Sequence, residues 1–293
     1  MLTEHLEYFS LTYKARSYAQ AAKLVPMSLQ GLIKSIRQLE RHYGATLFTT
    51  DEHGVLVPTA YADELFSFCG KWEHNSRLLS NAFERIHALE SHAIRLGACL
   101  GISGNLGQRF QSQLAARLPH IKLAYSEYND MDCDSGLRLG NYDLAFTIAP
   151  YGQDFHTFEM FSDNFIFWVN RDNPLSEKVA GIELGDLESQ NIALPGEGFK
   201  CFNLFIGGCA EQGIPVGQIF STAEMFHIYN HALSNRGIGM GVQHLTNLAV
   251  FQHDEVVAIP FSGPPWAYGV SYLPAHSLNE MERMFLEYCI GFW

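Results

Sequence analysis

The sequence feature that most constrains the fold is a long helical repeat over residues 59–91. Apolar side chains recur there at alternating steps of three and four residues, with Asn75 as a polar position among them. A repeat sustained over about three and a half heptads predicts a single helix of about 45 Å, which divides the chain into a part before it and a part after it. The repeat runs through Leu65, Phe68, Trp72, Asn75, Leu79, Ala82, Ile86 and Leu89.

A heptad stripe on so long a helix indicates pairing between two copies of the chain. A polar residue such as Asn75 within the stripe helps to fix the register of two paired helices. The alternative is a helix that packs on its own domain. We predict that the dimer contacts come from Leu65, Phe68, Trp72, Leu79 and Ile86.

Charge is distributed unevenly along the chain, whose formal net charge is −12. Residues 1–60 contain six Lys/Arg and five Asp/Glu, whereas residues 91–293 contain ten basic and twenty-one acidic residues. A polyanionic partner would be repelled by the second region, so it would have to meet the first sixty residues.

Two short helices joined by a tight turn are predicted within residues 17–43. Ser17 is a candidate N-cap for the first helix, and Pro26 ends it. Ser28 is a candidate N-cap for the second helix, and Gly44 is a candidate C-terminal stop.

The second of these helices has an apolar face and a separate basic face. Lys34, Arg37 and Arg41 follow one another at steps of three and four residues. Such a helix pair is typical of a helix-turn-helix, and the alternation of residues around Gly54 adds a small hairpin, or wing. The alternative is an amphipathic bundle whose charged side is merely solvated. The apolar face consists of Leu32, Ile36, Leu39 and Tyr43.

This segment resembles the winged helix-turn-helix domain of LysR-type transcriptional regulators. The family pattern reads approximately F-x-x-V-x-x-x-x-S-F-x-x-A-A, S-Q-x-x-L-S-x-x-I-x-x-L-E and G-x-x-L-F-x-R. Thirteen of its positions match here in register and without a gap. The resemblance implies a DNA-binding domain rather than a solvated bundle. The matching residues are Phe9, Ser17, Tyr18, Ala21, Ala22, Ser28, Leu32, Ile36, Leu39, Glu40, Gly44, Leu47 and Phe48.

The chain departs from the family at three positions that the resemblance assigns to DNA contacts. Leu29 replaces a Gln, Ile33 replaces a Ser, and Thr50 replaces an Arg. Leu and Ile cannot hydrogen-bond to base edges, although they can touch thymine methyl groups. The alternative function is therefore an effector sensor or protein-interaction module of the same architecture that lacks sequence-specific DNA binding. The predicted DNA-binding residues are Ser28, Leu29, Gln30, Ile33, Lys34, Arg37 and Arg41.

Beyond residue 91 the pattern alternates between strands and helices, which indicates an α/β domain with mostly parallel sheets. The region resembles the LysR-type effector domain, which is related in fold to periplasmic binding proteins. That resemblance implies two α/β subdomains joined by crossovers near 162–165 and 266–268. The whole fold is thus predicted as α/β with an N-terminal all-α winged helix-turn-helix. The predicted boundaries are 1–58 for the DNA-binding domain, 59–91 for the linker helix, and 92–293 for the effector-binding domain, with subdomain I at about 92–162 and 268–293 and subdomain II at about 163–267. The matching residues are Arg95, Leu96, Gly97, Asp143, Leu144, Ala145, Asn173, Pro174, Leu175, Gly237, Ile238 and Gly239.

Three loops that precede helices are expected to line the cleft between the subdomains, at residues 99–103, 196–200 and 222–226. Helix N-termini present free N–H groups and suit anions. Lys200 adds one of only ten basic residues in this region, so a carboxylate-bearing small-molecule effector is predicted. The predicted effector-binding residues are Cys99, Gly101, Ser103, Tyr128, Lys200, Phe226 and Trp266.

Two further patterns have plain structural alternatives. Cys201 and Cys209 lie close to where peroxide-sensing members of the family place a reactive pair, but they can equally be ordinary buried thiols. His227 and His231 have the i, i+4 spacing of metal ligands, with no obvious third ligand. Motifs for nucleotide binding or a nucleophile elbow are missing, so no catalytic residue, metal or cofactor is predicted.

Together these patterns predict a regulator that binds double-stranded promoter DNA and responds to a small-molecule effector. Pairing through the long helix predicts a homodimer, and the family resemblance implies a homotetramer. The sequence shows neither a signal peptide at its start nor eighteen consecutive apolar residues, so a cytoplasmic protein without a membrane span is expected.

Overall fold

The computed structural model describes residues 2–52, 55–90, 93–178 and 180–293. The chain forms two compact units, Met1–Ser80 and Asn81–Trp293. Across the described residues, no helix is both long enough and apolar enough to cross a membrane.

The first unit consists of helices followed by a small hairpin and the beginning of a long helix. Its buried cluster joins all of these elements and includes Phe9, Ile36, Leu39, Leu47 and Phe48. The helices are α1 (Leu2–Ala15), α2 (Tyr18–Ala21), α3 (Leu29–Tyr43) and α4 (Ala60–Glu90), and strands β1 (Phe48–Thr50) and β2 (Leu56–Pro58) pair in antiparallel fashion.

Local signals fix the ends of the short helices in the first unit. The hydroxyl of Ser17 accepts the N–H of Gln20, and the hydroxyl of Ser28 accepts the N–H of Gly31 at 3.2 Å. Gly44 ends α3 in the left-handed region, with φ of 64°. These contacts confirm the predicted helix starts and stop. The predicted turn around Gly54 lies outside the described residues.

Tyr43 is not part of the apolar face on which the sequence pattern placed it. It is the last residue of α3 and is 46% exposed, because the helix runs past the core at this end. Its ring instead contacts the ring of His42 edge-on, with 4.8 Å between centroids.

The second unit contains two five-stranded sheets, each with helices packed on it. In the first sheet β3 is parallel to β4 and β5, and β12 runs antiparallel to β5 and β6. Its strands in spatial order are β4 (Lys122–Tyr128), β3 (Ala93–Cys99), β5 (Leu144–Ile148), β12 (Trp266–Tyr272) and β6 (His156–Asp163). Its helices are α5 (Ile102–Arg117), α6 (Asp130–Arg138) and α10 (Glu280–Ile290).

The second sheet is also mixed. Its strand β8 is parallel to β9 and β10, whereas β7 is antiparallel to β10 and β11. Its strands in spatial order are β11 (Val256–Pro260), β7 (Phe165–Asn170), β10 (Ile238–Val242), β8 (Ile192–Leu194) and β9 (Ile219–Ser221). The helices that follow its strands are α7 (Lys200–Phe202), a π-helical turn (Asn203–Gly207), α8 (Gly208–Glu211) and α9 (Met225–Leu233). Short 3-10 helices lie at Ala22–Leu24, Pro174–Glu177, Leu184–Leu187, Gln243–Asn247 and Ala249–Phe251.

Two connections join the subdomains that these sheets form. The first is Asn164, between β6 and β7, within the region that the sequence indicated. The second is residues 261–265, which precedes the predicted position at 266–268. Trp266 and Ala267 belong to the first sheet, where they pair with Asp163 and Ser162 on β6. The prolines at 264 and 265 lack N–H donors and so favour a connection just before this strand.

Candidate DNA-binding surface and effector cavity

The side chains of α3 separate onto a buried and an exposed face. Leu32, Ile36 and Leu39 anchor the helix in the core of the first unit. On the exposed side, Lys34, Arg37 and Arg41 are all open to solvent. The exposed side also carries the other predicted DNA-binding residues, with Ser28, Leu29 and Gln30 exposed and Ile33 half-buried.

The basic side chains of α3 are not neutralised by carboxylates. Within the described part of the chain, Lys34, Arg37 and Arg41 form no ion pair. The carboxylate of Glu40 accepts the backbone N–H of Leu47 at 2.8 Å. The cations thus remain available to an external anion.

An open groove of about 880 Å³ runs beside these cations. Its walls come from one side of α3 and from the residues after Gly44. The groove is lined by Gln30, Ile33, Lys34, Arg37, Glu40, Arg41, Gly44, Ala45 and Thr46. A helix with such a concave basic flank has the form and the charge to enter a DNA groove.

The long helix α4 exposes most of its predicted dimer stripe. Phe68, Trp72, Leu79 and Ile86 are between 42% and 57% exposed. Leu65 is partly buried against the core of the first unit. The exposed Phe83 widens the apolar surface beyond the stripe that the sequence pattern identified. Exposed side chains of this size in a row are typical of a surface that pairs with a partner.

A cavity of about 120 Å³ lies between the two subdomains of the second unit. The first subdomain contributes Leu100, Gly101, Asp130, Ile148 and Trp266. The second contributes Phe165, Pro195, Phe199, Cys201, Ala223, Met225, Met240, Val242, His244 and Leu245. The lining is mainly apolar with few polar groups, as in most small-molecule sites.

Asp130 is the charged residue in the lining of this cavity. It lies in the first turn of α6 and is 2% exposed. Its Oδ2 accepts the backbone N–H of Lys200 at 2.9 Å, while its Oδ1 is buried and has no hydrogen-bond partner. Burial raises the pKa of Asp130 to about 6, and the N–H and charge of Lys200 limit that rise. The nearby Cys99 thiol also limits the rise in the pKa of Asp130, although Oδ1 itself has no hydrogen-bond partner.

The ammonium of Lys200 is fully occupied by the protein. It donates to the carbonyls of Ile148 at 2.6 Å and Pro150 at 3.0 Å, and it forms an ion pair with Asp134 at 2.9 Å. A lysine has three N–H donors, so none is left over for a ligand. Lys200 therefore does not supply the free cation that the sequence analysis expected in the cleft.

His244 is another titratable residue in the cavity lining. Asp163 accepts hydrogen bonds from both the backbone N–H and the Nδ1 of this residue, at 2.7 and 3.0 Å. A carboxylate can only accept, so Nδ1 carries the proton and Nε2 is left as an acceptor. Burial lowers the pKa of His244 and so favours the neutral ring. The hydrogen bond and charge of Asp163 oppose this effect but are smaller than it.

Two of the seven predicted effector residues, Gly101 and Trp266, line the cavity. Cys99 lies behind the lining and is completely buried. Ser103 hydrogen-bonds to Tyr125 and Glu127 on β4 and lines a separate cavity of about 240 Å³ beneath α5. The ring of Tyr128 packs against that of Tyr142, with 5.3 Å between centroids. Phe226 is 49% exposed on α9 and, like Lys200, lies outside the lining.

Sequence reasoning missed Asp130 and His244. Asp130 had a detectable signal, because Asn129 and Asp132 form an N-cap pair that places Asp130 in the first turn of a helix after a strand. His244 gave no such signal, since its role depends on Asp163, 81 residues earlier in the chain.

The cysteines singled out in the sequence are buried, and His231 packs against an aromatic ring. Cys201 and Cys209 are both buried, and burial raises the pKa of each thiol. The thiolate is the reactive form, so this environment does not favour peroxide sensing. The ring of His231 stacks on that of Phe220 with 5.6 Å between centroids.

Two family models match the chain along most of its length. The model for the bacterial regulatory helix-turn-helix protein of the lysR family matches residues 3–63. The model for the LysR substrate binding domain matches residues 87–292, well over half of the chain. The chain belongs to the LysR family: it is a LysR-type transcriptional regulator with a helix-turn-helix domain and an effector-binding domain. The resemblance seen in the sequence is thereby confirmed.

Solved structures with the same fold include regulators from several bacteria. A cysteine mutant of OxyR from Corynebacterium glutamicum has a TM-score of 0.58 at 15% identity, covering 98% of this chain and 90% of that chain. A putative LysR family regulator from Pseudomonas aeruginosa has a TM-score of 0.56 at 16% identity, covering 98% and 97%. The CcmR regulatory domain from Synechocystis, in complex with 2-PG, has a TM-score of 0.59 at 16% identity, covering 68% and 96%. At these identities the likeness supports the fold alone.

Proposed function

We propose that this regulator binds double-stranded promoter DNA through α3 and that a small molecule in the cavity between the subdomains modulates this binding. The observation that carries the proposal is the exposed set of Lys34, Arg37 and Arg41, which lack acidic partners in the described part of a chain whose net charge is −12. LysR-type regulators bind promoter DNA and small-molecule effectors and are generally not enzymes. We accordingly assign this chain a regulatory rather than a catalytic role, exercised at the DNA in the cytoplasm.

The side chains on the exposed face of α3 suit different kinds of DNA contact. Lys34, Arg37 and Arg41 would contact phosphates, which position a protein without reading sequence. Gln30 can form paired hydrogen bonds to adenine in the major groove, and the exposed Leu29 can contact a thymine methyl group. This combination favours AT-rich half-sites.

The proposed active species is a homodimer that assembles further into a homotetramer. Support comes from the exposed apolar stripe of α4, from Phe68 to Ile86. Two paired helices would present two copies of α3 to two half-sites on the duplex.

Effector binding would act through the two connections between the subdomains, Asn164 and residues 261–265. A ligand that contacts both walls of the cavity favours the arrangement in which the walls are closest. The end of α4 is tied to the first subdomain, because Asn81 donates to the carbonyl of Leu139 and to the side chain of Asn141 at 2.8 and 2.7 Å. A change in the subdomains would thus reach the linker helix.

The test is binding of the purified full-length protein to DNA flanking its own gene and to a scrambled fragment, across a salt series. We expect tight binding to one fragment, with a steep dependence on salt. Equal and weak binding to both fragments would support the alternative, a sensor or interaction module without specific DNA binding, for which Leu29, Ile33 and Thr50 are the observation in favour. Arg37→Ala should weaken binding to every fragment, whereas Gln30→Ala should reduce the preference for the specific one.

A further inference from the structure

Two side chains in the lining of the cavity between the subdomains present hydrogen-bond acceptors. They are the carboxylate of Asp130 and the imidazole of His244, whereas the indole N–H of Trp266 and the thiol of Cys201 are donors in the same lining. Asp130 offers Oδ1, which is buried and has no donor. His244 offers Nε2 as an acceptor, because its Nδ1–H donates a hydrogen bond to Asp163. A ligand that satisfies Oδ1 of Asp130 and Nε2 of His244 must therefore bring hydrogen-bond donors.

The charges around the cavity are not balanced. Two buried carboxylates, Asp130 and Asp134, face one ammonium, that of Lys200. All three donors of that ammonium are used by Asp134 and by the carbonyls of Ile148 and Pro150. Buried charges in proteins are normally paired. When both carboxylates are ionised, the single ammonium leaves this group with one negative charge in excess.

The remaining walls limit the size and polarity of the ligand. They are built mainly from aliphatic and aromatic side chains such as Phe165, Met240 and Trp266. A volume of about 120 Å³ is near that of cavities known to hold one benzene-sized molecule.

We infer that the effector is a compact apolar amine whose ammonium group pairs with Oδ1 of Asp130 while its apolar body fills the cavity. This inference rests on the proposed function, since it takes the cavity to be the effector site. The ligand charge is opposite to that of the carboxylate effector that the sequence analysis predicted. The reversal follows from the full occupation of Lys200 and the unpaired oxygen of Asp130.

The test compares three probes of similar shape on the full-length protein, by ligand-observed NMR titration at pH 7.5. Benzylamine carries the cation, benzyl alcohol is a neutral donor, and benzoate is an anion. We expect benzylamine to bind at least tenfold more tightly than benzoate, with benzyl alcohol between them. Asp130→Asn should weaken benzylamine binding at least tenfold and leave benzyl alcohol within about threefold.

Two further variants complete the design. Asp132→Asn removes the same charge from an exposed position two residues away and should leave benzylamine binding unchanged. Ala223→Leu fills the cavity and should weaken all three probes. Thermal unfolding of each variant checks that it is folded.

The outcomes distinguish the assignment of the cavity as the effector site from the assignment of the effector as an amine. If benzoate binds at least as tightly as benzylamine and Ala223→Leu abolishes its binding, the cavity is the effector site but the amine inference is overturned. If Ala223→Leu leaves the binding of every probe unchanged, or if no probe binds, the assignment of the cavity as the effector site fails and the amine inference fails with it.

Discussion

Arg95 on β3 and Asp143, immediately before the neighbouring strand β5, form a buried two-pronged ion pair. Nη2 donates to Oδ1 at 2.7 Å and Nε donates to Oδ2 at 3.2 Å, with both side chains less than 10% exposed. The remaining Nη1 donates to the carbonyl of Asn81 in α4 at 3.3 Å. This pair therefore connects the sheet of the first subdomain to the end of the linker helix.

Removing one partner of this pair should destabilise the effector domain strongly. In Asp143→Ala the guanidinium of Arg95 stays buried without its counter-charge, which costs about 3–5 kcal/mol. Urea unfolding followed by tryptophan fluorescence measures the change. The control is Asp154→Ala, which breaks an exposed pair with Arg138 at 2.7 Å and should cost less than about 1 kcal/mol. Equal losses in the two variants would contradict the structural role of the buried pair.

The exposed stripe of α4 predicts where a single charge disrupts the dimer. Leu79 is 57% exposed, so Leu79→Glu should leave the fold of the subunit intact and place a charge in the paired surface. We expect the dimer dissociation constant to rise at least tenfold, about 1.4 kcal/mol, in sedimentation equilibrium. His74→Glu adds a charge at an exposed α4 position outside the stripe and should have little effect. A similar effect of both substitutions would place the dimer contact elsewhere.

The phosphate contacts proposed for α3 predict a change in salt dependence. Arg37→Ala should reduce the slope of log affinity against log salt by about one for each subunit that contacts DNA, and weaken specific and scrambled DNA alike. Lys14→Ala is the matched control, because Lys14 lies over the ring of Phe66 at 5.9 Å rather than on α3. Fluorescence anisotropy over a salt series provides the slopes. An unchanged slope in Arg37→Ala would remove this residue from the interface.

The first unit was largely predictable because its signals are local. Ser28 and Gly44 fix the ends of α3 through contacts within four residues, and periodicity identifies its buried face. The exception was Tyr43, whose exposure depends on where the rest of the core ends. Local signals are weaker at α9. A Ser-x-x-Glu pattern such as Ser221 to Glu224 is typical of a helix start, but Ser221 belongs to β9 and Glu224 stands at the N-cap position.

The lining of the effector cavity was much less predictable, because it depends on contacts between distant residues. The sequence gives Lys200 as a rare cation beside a predicted loop, but its partners Ile148 and Asp134 lie more than fifty residues away. Only the folded chain shows that its donors are used internally. The same holds for Asp130, whose burial depends on the second subdomain closing over the first.

The buried cysteines predict resistance to oxidation in the folded protein. Burial raises the pKa of Cys201 and Cys209, so little thiolate is present at neutral pH. We expect iodoacetamide to modify neither residue in the native protein, and peroxide treatment to leave the thiol count after denaturation at the six cysteines of the sequence. The control is protein that has not been treated with peroxide, unfolded in urea so that its thiols are open to the reagent. Loss of two thiols after peroxide would instead establish a disulfide-forming pair.

The raised pKa of Asp130 predicts how stability changes with pH. Its folded pKa is about 6, above its usual value of 3.8. The unfolded chain therefore releases this proton first as pH rises, and the contribution of Asp130 makes the folded state progressively less stable between about pH 4 and pH 6. The full loss of folding free energy, reached above pH 6, is roughly 3 kcal/mol, since the folded pKa of about 6 lies well above the usual 3.8.

Asp130→Asn removes this titration, so the variant should gain stability relative to the wild type as pH rises from 4 to 7.5. Urea unfolding at pH 4, 6 and 7.5 measures the difference, with Asp132→Asn as the exposed control. A difference that is the same at all three pH values would show that Asp130 titrates normally. A bound cation would stabilise the ionised form of Asp130. Saturating benzylamine should therefore stabilise the wild type alone and reduce the difference in free energy of unfolding between the two proteins at pH 7.5.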